Sequence, residues 1–120
     1  MDLELTRLQG LAELDQVISN SHDKPVLLFK HSHTCGISAE ALDELRVHLD
    51  EHPATADVQY AMVTVQTHRD VSNAVATKLG IRHETPQAIL IRHGRAVWSA
   101  SHFRVTAMEL KKALAMMPLA

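Results

Sequence analysis

A chain of 120 residues with 46% apolar residues, 22% charged residues and a net charge of −2 has the composition of one globular domain with a modest core. Its basic residues are scattered and its aromatics few, which argues against a surface for nucleic acid or anionic lipid and against stacking platforms for bases. No apolar run is long enough to cross a bilayer, the acidic start MDLELTRLQG is unlike a signal peptide, and a lone cysteine makes no internal disulfide; one domain over residues 1–120 in the reducing cytoplasm is expected.

In chain order, LAELDQVISN (11–20) sets Leu11, Leu14 and Ile18 on one face at helical spacing. Lys24-Pro25 then leads into VLLFKH (26–31), a continuous apolar run of the length of a buried strand. From Gly36 or Ile37 to about Glu51 the period is helical again, with Ile37, Ala41, Leu45 and Leu49 inward and His52-Pro53 as the stop. VQYAMVTVQ (58–66) is rich in β-branched residues and reads as a second buried strand. Asp70 is the expected N-cap of a third helix, with Val71, Val75 and Leu79 on its inner face and Gly80 ending it. QAILIRHGRAVWSAS reads as two strands turning at His93-Gly94. The capping box Thr106-Ala107-Met108-Glu109 opens a last helix with Leu110, Leu114 and Met117 as its stripe.

The predicted order is α-β-α-β-α-β-β-α. Strands separated by helices pair in parallel through right-handed crossovers, and the hairpin adds an antiparallel pair. The expected fold is α/β: a four-stranded mixed sheet flanked by helices, the thioredoxin-like architecture.

The single cysteine lies in HSHTCGIS, where the strand VLLFKH passes through a short loop into a helix. Cys35 therefore sits at a helix N-terminus, where free N–H groups and the dipole favour the thiolate. Thiolate is the nucleophile of disulfide exchange. Ser38, one turn on, is placed to donate a hydrogen bond to it. A buried inert thiol is the plain alternative, but a core cysteine belongs on a strand or an inner helix face rather than between Thr34 and Gly36. A metal site is the other, since His31-x-His33-x-Cys35 alternates three ligand types; no fourth ligand has a recognisable spacing. The remaining histidines are scattered, as solvated residues would be.

Thr85-Pro86 stands directly before the strand QAILI. Proline at a strand's first residue needs no function. In a thioredoxin-like sheet, however, this position faces the cysteine and its X-Pro bond is typically cis, so that the backbone of Thr85 is open to pairing with an extended thiol peptide.

With FKHSHTCGIS and TPQAILIRHGRAVWSASH in view, the chain resembles the monothiol bacilliredoxins of the thioredoxin superfamily, over roughly residues 10–117. The family's usual CPIS appears as Cys35-Gly36-Ile37-Ser38; glycine for proline loosens the first turn and leaves an extra N–H toward the thiol. The resemblance implies an oxidoreductase that removes bacillithiol from protein mixed disulfides. Cys35 is its catalytic thiol, and Thr34, Gly36, Ile37, Ser38, Thr85 and Pro86 its substrate-binding residues. Bacillithiol is then the co-substrate, bacillithiolated proteins are the partners, and no bound cofactor or metal is expected. Ser38 occupies the place of the resolving cysteine of dithiol thioredoxins, so the route is monothiol. CGIS is also close to the CGFS of monothiol glutaredoxins, which bind glutathione and an iron–sulfur cluster; those proteins carry Thr-Val-Pro and a later Gly-Gly segment, and this chain has neither. A thioredoxin-like adaptor with a vestigial cysteine is the non-enzymatic reading.

Overall fold

The apolar run 26–31 forms the middle of the sheet and dictates the rest of the architecture. The computed structural model describes residues 5–51 and 57–116. In chain order the elements are β1 (Leu5–Arg7), α1 (Leu11–Asn20), β2 (Val26–His31), α2 (Gly36–Glu51), β3 (Gln59–Thr64), α3 (Arg69–Leu79), β4 (Gln87–Arg92), β5 (Arg95–Ser101), a 3-10 turn (His102–Arg104) and α4 (Ala107–Ala115). The strand order is β1-β3-β2-β4-β5. β1 and β2 both pair in parallel with β3, whereas β4 is antiparallel to β2 and β5 to β4.

Because successive strand residues face opposite sides, the sheet feeds two cores. Leu27, Phe29, Tyr60, Met62 and Leu90 pack on one side with Leu45 and Leu49 of α2 and Leu110 of α4. Val26, Leu28, Ala61, Val63, Ile89 and Ile91 pack on the other with Leu14 and Val17 of α1 and Val71 and Val75 of α3. A strand covered on both faces reads as an unbroken apolar run, which is why VLLFKH and QAILI show no alternation.

The sheet has five strands, one more than the sequence reading expects. β1 is three residues long and half-buried to exposed, and its pairing of Leu5 with Tyr60 joins residues far apart in the chain. So short an edge strand has no periodicity of its own. On α1 the buried stripe is Leu14 and Val17 with Ile18 partly covered, while Leu11, in the first turn, is 46% exposed. Asp70 is not the N-cap of α3. The helix starts at Arg69 behind His68, whose carbonyl accepts from Ser72 N–H, and Asp70 lies in the first turn beside the positive end of the dipole.

Other local signals act as expected. Gly80 adopts φ 63° and ends α3 in a left-handed cap. His93 and Gly94, at φ 56° and 77°, make the hairpin turn. Thr106 Oγ1 accepts from Glu109 N–H at 3.1 Å and caps α4. The expected stop at His52-Pro53 and the stripe position Met117 lie outside the described residues. Among the described residues no helix is long and apolar enough to cross a membrane.

Candidate active site

The three parallel strands β1, β3 and β2 all end at the same edge of the sheet, and the loop carrying Cys35 rises from that edge. Open parallel sheets present their ligand sites at this carboxyl end. Cys35 is a free, half-buried thiol immediately before α2. Its carbonyl accepts the helix bond from Ala39 N–H at 3.1 Å, and its own N–H is turned back to Ser32 O at 3.4 Å. The N–H groups of Gly36, Ile37 and Ser38 precede the first intrahelical bond and have no backbone partner among the described residues.

Ser38 differs from the sequence expectation. Its side chain is fully buried and its hydroxyl oxygen accepts the Ser32 N–H at 2.9 Å. The same oxygen lies 3.0 Å from His31 Nδ1. Ser38 is thus bound to both Ser32 and His31, and these two contacts tie the thiol loop to the end of β2. The His31 pKa is lowered, first by burial and then by the charges of His33, Arg46 and Arg7, which favours the neutral ring. Thr34 is also engaged within the protein, 3.0 Å from Gln66 Nε2 and 3.3 Å from Ser32 Oγ. Ile37 borders a groove of about 370 Å³ between α2 and the 3-10 turn, together with Glu40, Glu44 and Phe103.

The Thr85–Pro86 peptide bond is cis. The ladder runs from Val26↔Ile91 to Lys30↔Gln87, so Pro86 and Thr85 continue alongside His31 and Ser32 toward the thiol loop. Pro86 is buried and its carbonyl accepts His102 N–H at 2.9 Å, which ties the Ser101-His102 corner to this lip. The backbone N–H and C=O of Thr85 have no backbone partner among the described residues, as strand addition requires.

Two residues at the site carry no motif. Gln66 lies just past β3, where its Oε1 accepts His33 N–H at 3.3 Å while its amide donates to Ser32 and Thr34, clamping the loop from below. Lys30, inside the apolar run, is completely covered, and its Nζ is 2.9 Å from His83 Nδ1. His83 Nε2 in turn lies 3.4 Å from Thr85 Oγ1. Burial brings the Lys30 amine down to about 8, and the His83 ring is lowered by burial, by Lys30 and by Arg69, against Glu84. A lysine amid apolar strand residues was the available signal for this chain of contacts. His31 and His33 do not assemble with Cys35 as ligands: among the described residues no group of three His, Cys, Asp or Glu side chains is arranged to hold a metal ion.

The family model described as monothiol bacilliredoxin BrxC matches residues 6–110. Among solved structures, the chain is similar to a putative oxidoreductase with a thioredoxin fold, at 34% identity over 92% of this chain and 93% of that one, with a TM-score of 0.79. Thioredoxin from Fasciola hepatica is 18% identical over 95% of this chain and 100% of its own, at TM-score 0.73. Thioredoxin NaTrxh from Nicotiana alata is 15% identical over 97% of this chain and 94% of its own, at TM-score 0.74. The last two carry the fold alone. The family match runs through the thiol loop, the Thr-Pro strand and the hairpin in one stretch, and on that ground the chain belongs to the monothiol bacilliredoxin family and its chemistry is thiol redox chemistry.

Proposed function

We propose that the protein removes bacillithiol from mixed disulfides on cytoplasmic proteins, using Cys35 alone. The Cys35 thiolate attacks the bacillithiol sulfur of the mixed disulfide; the new S–S bond joins Cys35 to bacillithiol, and the electron pair of the broken bond leaves with the target's thiolate. A second bacillithiol thiolate then attacks the bacillithiol sulfur bonded to Cys35. It releases the Cys35 thiolate and carries away oxidised bacillithiol.

The observation that supports a monothiol route best is the placement of Ser38. It fills the position one turn beyond the only thiol, is fully buried, and is committed to Ser32 and His31. No second cysteine exists to resolve the adduct. The open backbone of Thr85 beside the cis proline supports docking of an extended target peptide.

The test is mass spectrometry of the reduced protein after treatment with oxidised bacillithiol or oxidised glutathione. An adduct on Cys35 that bacillithiol both forms and removes is expected. A Cys35 inert to both disulfides would overturn the reading and leave a thioredoxin-like adaptor. Formation and removal by glutathione alone would reassign the co-substrate.

A further inference from the structure

On the side of α2 away from the Thr85–Pro86 lip, a second groove of about 290 Å³ opens at the carboxyl ends of β1, β3 and β2. Its walls are cationic or basic: Arg7 at the end of β1, His31 at the end of β2, His33 in the thiol loop and Arg46 on α2, over Leu42 and Met62. No carboxylate lines it among the described residues. This is a local arrangement, because the chain as a whole carries a net charge of −2.

The other flank of α2 has the opposite character. Glu40, Asp43 and Glu44 border the groove that Phe103 and Ile37 share. The early turns of α2 thus divide a basic groove from an acidic one, and His33 in the thiol loop lines the basic one. Arg46 does make an ion pair with Asp43 at 3.3 Å, but both side chains are more than half exposed. One contact of this kind leaves most of the five guanidinium N–H donors free. His33 precedes Cys35 by two residues, so the groove wall and the thiol backbone are within about 7 Å along the chain.

We propose that this groove binds the carboxylates of the low-molecular-weight thiol bonded to Cys35 and makes the protein selective for anionic small thiols. The inference rests on the disulfide-exchange reading and adds the substrate's chemistry to it. Arginine forks match carboxylates bidentately, and bacillithiol and glutathione both carry them. The small thiol lies toward Arg7 and Arg46 while the target protein keeps the Thr85–Pro86 side. When the mixed disulfide forms, one S–S bond is exchanged for another and the target leaves as a thiolate; the groove holds the tail of the thiol that stays.

The experiment measures adduct formation on Cys35 by mass spectrometry against time, with oxidised bacillithiol, oxidised glutathione and the neutral hydroxyethyl disulfide. In the Arg7→Gln/Arg46→Gln protein, the ratio of the anionic to the neutral rate should fall about tenfold, as two exposed charge-assisted contacts together supply. Arg7→Lys/Arg46→Lys should recover part of it. The Arg95→Gln/Lys111→Gln protein removes the same charge from exposed positions elsewhere, and its ratio should stay near that of the parent. An unchanged ratio in the groove variant, or an equal fall in the control, would overturn the proposal. If the unmodified protein reacts with none of the disulfides, the exchange reading itself fails and the groove assignment falls with it. Adducts formed without charge selectivity would sink the groove alone. A fall with one anionic disulfide only would identify which small thiol the groove fits.

Discussion

Lys30 Nζ lies 2.9 Å from His83 Nδ1, and the lysine has no exposed surface at all. Burial brings its pKa from 10.5 to about 8, so at neutral pH the sheet covers a charged amine whose near partner is a neutral ring. That displacement corresponds to on the order of 3 kcal/mol. The unfolded chain holds its proton up to about 10.5 and the folded one only to about 8, so this burden on stability is full below about 8 and is lifted as pH rises toward 10.5. Lys30→Met should therefore raise the melting temperature at pH 7, by a margin that shrinks between pH 8 and 10. Thermal melts of both proteins across that range check it; a margin independent of pH would show that packing, not charge, sets the difference.

Ser38 joins the first turn of α2 to the end of β2 through Ser32 N–H and His31 Nδ1. Ser38→Ala leaves a buried backbone donor and a half-buried ring nitrogen without that oxygen, and each such loss costs about 1–3 kcal/mol. A fall in stability of roughly 2 kcal/mol in urea unfolding is expected. The variant's adduct chemistry should nevertheless persist, because Ser38 acts on the loop and not on the thiol. Complete loss of Cys35 adducts in a folded Ser38→Ala protein would return the serine to the thiol.

The elements most legible in the sequence are those whose signal is local. VLLFKH, the Thr-Pro strand, the His93-Gly94 turn and the Thr106 cap depend on neighbours within a few residues, and the structure keeps all of them. β1 depends on pairing with β3 across more than fifty intervening residues, so LTR alone does not announce it. The groove beside the thiol inherits that opacity, since Arg7 reaches it only because β1 completes the sheet edge. Ser38 is recognisable as a position in a motif, but its partners follow from the packing of His31 and Ser32. Gln66 reads as the last residue of a strand and is in fact the loop's clamp.

That clamp makes a separate prediction. Gln66→Ala removes the acceptor of His33 N–H and the donor to Ser32 and Thr34. The side chain is half-buried, so the loss of global stability should be modest, about 1 kcal/mol. Local opening should change more, because the loop has few other ties to β3. Amide exchange at His33 should speed up by at least tenfold, while exchange in β2 and β4 tracks only the global change. Equal acceleration at all these sites would mean that Gln66 contributes to the fold as a whole and not to the loop.

Gly36 stands where the resemblance read from the sequence puts a proline, and the structure gives that substitution room. An added Cβ would meet nothing within 4 Å, and Gly36 is the first residue of α2. Its N–H precedes the first intrahelical bond and has no backbone partner among the described residues. The first helical position is the one where proline loses no hydrogen bond and is already set to a helical φ. Gly36→Pro should therefore stabilise the protein by about 0.5–1 kcal/mol, chiefly by restricting the unfolded chain. The same change removes one of the three N–H groups without a backbone partner at the start of the helix, so Cys35 should react more slowly with a neutral alkylating reagent at fixed pH. A chain that becomes both more stable and less reactive would show that glycine at this position trades order in the first turn for a donor near the thiol. A variant equally reactive and more stable would confine the effect of Gly36 to the backbone, and a destabilised one would place a bend at Cys35 that proline does not tolerate.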